Sequence, residues 1–77
     1  MRRYLELFEK PEASEESYTD MDFIRIDVTD YSREDLDEAL DALRELADAS
    51  YKHYTIQLHY CYHDVGGVCR VEVVSER

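Results

Sequence analysis

The chain has no tryptophan, one proline, two glycines and two cysteines among 77 residues, and it sets nine basic residues against nineteen acids. Each scarcity closes a class. With Gly66 and Gly67 the only glycines, the chain has no phosphate-cradling glycine loop. Two cysteines, Cys61 and Cys69, are too few for a disulfide framework and read as reduced thiols in a chain without a secretory pattern. No run approaches the roughly 18 apolar residues of a membrane span, and Met1-Arg2-Arg3-Tyr4-Leu5-Glu6 meets an acid before a signal-like apolar region can form. The expected location is therefore cytoplasmic. A net charge of −10 disfavours a direct grip on nucleic acid or an anionic membrane, since phosphate contacts need clustered Arg and Lys.

What remains is a chain with 44% hydrophobic residues, enough for one small core, read as a single acidic domain over residues 1–77. Arg3 to Phe8 alternates, with Leu5 and Leu7 on one side and Tyr4, Glu6 and Phe8 on the other, which suits a first strand, with a short helical start as the competing reading. Residues 9–20 show no apolar period and form an acidic surface loop. From Glu12 to Asp22 there are five acids and no basic residue. Phe23 to Val28 then places Ile24, Ile26 and Val28 on one face of a second strand.

Ser32 followed by Asp35 is a capping-box variant, and Tyr31 is placed to staple onto Leu36, so a helix is predicted from about Arg33. Its core stripe is Leu36, Leu40, Leu43 and Ala47, widened by Ala39 and Leu46. Glu34, Asp37, Glu38, Asp41, Glu45 and Asp48 form the opposite face, and Asp37, Asp41 and Glu45 make an i, i+4 row. A third strand runs from Tyr54 to His63 with Tyr54, Ile56, Leu58, Tyr60 and Tyr62 on its core face. Asp64-Val65-Gly66-Gly67 turns the chain, and a last strand, Val68 to Val74, carries Cys69, Val71 and Val73 on one side. The expectation is an α+β fold in the order β-β-α-β-β, one amphipathic helix on one face of a four-stranded, mostly antiparallel sheet. A split βαβ unit with the last strand inserted, order 1-2-4-3, is preferred.

The metal-capable side chains are His59, Cys61 and His63 on one strand face, with His53 before them and Glu72 expected across the hairpin. Same-face residues are about 6.5–7 Å apart, so His59 and His63 cannot share an ion on a flat strand, whereas Cys61 and His63 can. No cofactor is the first expectation, and zinc or another ion that prefers imidazole and thiolate is what such a set would take. The favoured reading leaves them as polar residues on the solvent or dimer face of a hairpin, with metal binding as the minority one. Asp20-Met21-Asp22 lacks the glycine and terminal glutamate of an EF-hand loop, and both glycines are explained by the hairpin turn. No oxyanion donor or orienting third group accompanies Cys61 and His63, so an enzyme is not expected.

Tyr54, Tyr60 and Tyr62 are assigned to the core rather than to a base-stacking platform. Tyr4, Phe8 and Phe23 fall on the face away from the helix, to be covered by the acidic loop through Tyr18 or by a partner or second copy. The leading functional expectation is a non-catalytic interaction module, an inhibitor or regulator that presents Glu15, Glu16, Asp37, Asp41 and Glu45 to a basic, nucleic-acid-binding protein surface. The alternative is a small metal-binding protein using His59, Cys61 and His63.

Overall fold

A computed structural model of the chain describes residues 1–10 and 23–77, except for the side chain of Phe23. Of the loop expected over residues 9–20, Glu9 belongs to the first strand, and residues 11–20, among them Glu15, Glu16 and Tyr18, lie outside the described residues. Four strands and one long helix follow in the expected order: β1 (Arg2–Glu9), β2 (Phe23–Asp27), α1 (Arg33–Ser50), β3 (Tyr54–Cys61) and β4 (Arg70–Glu76), with a single 3-10 turn at His63–Val65 between the last two. The sheet is antiparallel throughout, in the order β2-β1-β3-β4.

This order corrects the expected 1-2-4-3. β2 and β3 do run parallel with a strand inserted between them, as the helical crossover requires. The inserted strand is β1, and the reason is burial on both faces. Leu5 and Leu7 face the helix, Glu6 faces the other way, and all three are about 1% exposed, as only an interior strand permits. β4 would bring Arg70 and Glu72 into that position and stays at the edge. Two apolar ladders cross the helix-facing side, Ile26–Leu5–Leu58 and Ile24–Leu7–Ile56, and they form the floor of the core.

Helix α1 starts where Ser32 and Asp35 predict. The Ser32 hydroxyl accepts the Asp35 backbone N–H at 3.1 Å, and the Asp35 carboxylate reaches the Ser32 N–H at 3.5 Å. Only Leu43 and Ala47 of its stripe are fully buried. Leu36, Ala39 and Leu40 pack against the core from part-buried positions, and Leu46, expected to widen the stripe, is 46% exposed because the helix rests on the sheet along a narrow line. Leu43→Ala is therefore expected to cost about 2–4 kcal/mol. A fall in the urea midpoint at unchanged slope would show it.

No basic residue occupies the last turn of α1. Arg77 supplies the missing cation from the far end of the sheet: its guanidinium donates to the Tyr51 carbonyl at 2.6 Å, the Lys52 carbonyl at 3.1 Å and Asp48 at 3.1 Å, and stacks 5.5 Å from the Tyr54 ring centre. Tyr54 is buried and donates its hydroxyl to Asp48 at 2.7 Å. Tyr60 is part-buried beneath the Arg70 guanidinium, and Tyr62 has left the strand, which ends at Cys61.

Candidate metal centre

The hairpin between β3 and β4 is where the metal-capable residues meet. After Cys61 the chain does not continue as a strand. Residues His63–Val65 wind into a 3-10 turn in which the Val65 and Gly67 N–H groups both donate to the Tyr62 carbonyl, at 3.0 and 2.9 Å. Gly66 closes the turn at φ +82°, a conformation that favours glycine, whereas Gly67 is needed for space: a Cβ there would lie 2.8 Å from the Cβ of Tyr62. The tightness of this turn folds His63 back over the end of the sheet instead of letting it run on along the strand. Asp64, on the same turn, accepts from the Met1 amino group at 2.7 Å, and that contact holds its carboxyl below the usual range.

Folding back brings the His63 ring between two sulfurs. Its Nδ1 is 3.4 Å from Cys61 Sγ and 3.8 Å from Cys69 Sγ, with Nε2 3.7 Å from Cys69 Sγ. One ligand atom from each of the three residues lies within 4.8 Å of the others. Ideal tetrahedral zinc, with Zn–S about 2.3 Å and Zn–N about 2.0–2.1 Å, separates sulfur from nitrogen by about 3.6 Å, which the observed distances bracket. Both cysteines are free and half-buried. Burial pushes the Cys69 thiol up, the neighbouring Cys61 sulfur adds to that, and a backbone bond at Tyr62 pulls only partly the other way.

Two of the expected ligands are elsewhere. Glu72 pairs with Leu58 and lines a groove of about 350 Å³ on the helix side together with Arg3, Leu36 and Leu40, so it is on the opposite face of the sheet from the sulfurs. His59 shares the face of Cys61 but is drawn to Glu6, whose carboxylate lies 3.2 Å from its Nδ1. Among the described residues the ligand atoms that converge within 4.8 Å of one another are those of Cys61, His63 and Cys69, and His59 is not one of them. The residue missing from the expected set is Cys69. Its position beside Cys61 depends on the hairpin register, because Tyr60 pairs with Arg70 and Cys61 and Cys69 are the residues that follow on either side.

The rest of the helix-free face is organised around Glu6. Its side chain, 2% exposed, accepts from Arg25 Nε and Nη2 at 2.9 Å each and from Gln57 Nε2 at 2.7 Å, besides the contact with His59. Burial pushes its carboxyl up, but the hydrogen bonds from Gln57 and His59, the attraction of His59 and the bond from Arg25 outweigh it, so it titrates below the usual glutamate range. Tyr4 closes one side, edge-on to His59 at 5.9 Å and under Arg25 at 5.0 Å. Val71 and Val73 on β4 are about half exposed beside it.

Asp37, Asp41 and Glu45 lie on one exposed helix face, as expected. Arg33 comes within 3.6 Å of Asp37 and Arg44 within 3.7 Å of Asp41, at exposed positions where such pairs contribute little. No helix among the described residues is long and apolar enough to cross a membrane. Comparison with protein-family models, curated proteins and solved structures finds no match to the chain.

Proposed function

We propose that the chain is a small metal-binding protein that holds one zinc-type ion through Cys61, His63 and Cys69. The supporting observation is the set of sulfur-to-nitrogen distances, 3.4 and 3.8 Å, between three residues that a tight turn and a strand pairing converge on one point. Two thiolates and an imidazole suit zinc over calcium or magnesium, which prefer oxygen. Three protein ligands leave a fourth position for water or an external donor. The rival reading, an acidic module that binds a basic protein surface through Asp37, Asp41 and Glu45, has the exposed row in its favour. Metal binding is preferred because three ligand atoms converge within 4.8 Å of one another, a specific arrangement that the exposed acidic row does not match.

Cobalt(II), which takes zinc's place in thiolate sites, provides the test. Titration of the reduced full chain is expected to saturate at one equivalent, with a near-ultraviolet thiolate-to-metal band and visible bands of tetrahedral intensity. Cys61→Ser, Cys69→Ser and His63→Ala should each weaken binding by about tenfold or more. Absence of the thiolate band, or a band that survives loss of both sulfurs, would refute the proposal.

A further inference from the structure

The two cysteines are more than neighbours in space. The β3–β4 ladder runs Gln57–Val73, Leu58–Glu72, His59–Val71 and Tyr60–Arg70, where it ends, and Cys61 and Cys69 are the residues that follow on either side. Continued by that one step, an antiparallel register would set their Cα atoms about 4.5–5.5 Å apart, inside the range of about 4.4–6.8 Å that a disulfide spans. The two Sγ atoms already lie within 4.8 Å of each other, and both residues are free and half-buried, so a small molecule can reach them.

The same pair can therefore serve two exclusive bonds. A tetrahedral ion needs its two sulfurs about 3.8 Å apart, each carrying a negative charge for the metal. A disulfide draws them to about 2.05 Å and leaves neither with that charge. His63 alone cannot then retain the ion.

We propose that the Cys61–Cys69 pair is a redox switch on the metal centre, with dithiol and bound metal in one state and a cross-hairpin disulfide with the metal released in the other. The inference rests on the metal-binding reading above. The oxidant is a low-molecular-weight disulfide of the glutathione class. One protein thiol attacks it, forming a mixed disulfide and releasing one small thiol. The second protein thiol then attacks the protein-side sulfur, closing the Cys61–Cys69 bond and releasing the second small thiol. Two protein thiols are oxidised, one small disulfide is reduced, and both thiol hydrogens leave on the small thiols.

The experiment is intact-mass spectrometry of the reduced full chain, metal-free or saturated with zinc, during incubation with oxidised glutathione, with a zinc titration of the same reduced sample alongside. Metal-free protein is expected to lose about two mass units without retaining an adduct, and zinc should slow this by about tenfold or more. Cys69→Ser should stop at the glutathione adduct on Cys61. A stable adduct on the wild-type chain, or no reaction where an unstrained dithiol closes, overturns the switch. Closure that zinc leaves unslowed, in a sample shown to bind zinc, overturns it too. Silence in the zinc titration refutes the metal reading itself and the switch with it, and the mass record reports separately whether the disulfide forms.

Discussion

Replacing Glu6 by alanine is expected to destabilise the fold by about 2–4 kcal/mol. A buried carboxylate that accepts from Arg25 and Gln57 and contacts His59 cannot be removed without stranding its partners. Arg25 is half exposed and can turn to water, which keeps the cost below that of a fully enclosed pair. Gln57 and His59 are held in the sheet and lose more. Glu6→Gln keeps the shape and part of the hydrogen bonding, so it should cost about half as much.

The two variants also differ from wild type in pH response. Because the folded carboxyl titrates below its usual range, the unfolded chain binds the proton first as pH falls. The contribution of Glu6 is therefore complete above the unfolded value of about 4.3 and is lost as pH drops from there through the folded value. Stability against pH, followed by urea unfolding, should show a shallower acid limb in Glu6→Gln. A residual slope will persist, since the Asp27 carboxyl is also held low, chiefly by the Thr29 side chain. An acid limb identical to wild type would show that Glu6 contributes no such linkage.

Zinc is expected to raise the thermal midpoint of the reduced chain by about 10–20 °C at a free concentration a hundredfold above its dissociation constant. That gain follows from a linkage free energy of about 2.7 kcal/mol and the steep dependence of midpoint on stability in domains of this size. His63→Ala and Cys69→Ser should lose about half of the shift or more at the same zinc concentration, while Glu72→Gln should keep it, because Glu72 faces the helix. An equal shift in all four proteins would move the ion away from the hairpin.

The strands and helix were legible because their signals are local. Ser32 and Asp35 mark the helix start by themselves, and the alternation of Leu5, Leu7, Ile24 and Ile26 defines one apolar face whatever the strand order. Strand order was not legible, because it turns on which strand buries both faces, and Glu6 looks like an ordinary solvent-facing acid until Arg25 and Gln57 are set on either side of it. Half of the candidate metal centre was legible. Cys61 and His63 are close in sequence, but the third ligand depends on a hairpin register. A turn centred between Val65 and Gly66 sets Glu72 opposite His59, whereas the observed centre, at Val65 itself, sets Glu72 opposite Leu58 and leaves Cys69 near Cys61. One residue of slip exchanges the faces, and only the 3-10 winding of His63–Val65 decides between the two.

The grip of Arg77 on the end of α1 bears on how the molecule comes apart. Helix ends ordinarily fray by themselves, as the most labile part of a fold seen by hydrogen exchange. Here the cap belongs to the strand end, where Arg77 exchanges both backbone hydrogen bonds with Tyr54 while its side chain holds the Tyr51 and Lys52 carbonyls. Peeling the end of β4 from β3 would uncap the helix in the same motion, so the outermost strand and the last turn of α1 are expected to open together in hydrogen exchange. The labile edge of the sheet is thereby tied to the most regular element of the fold.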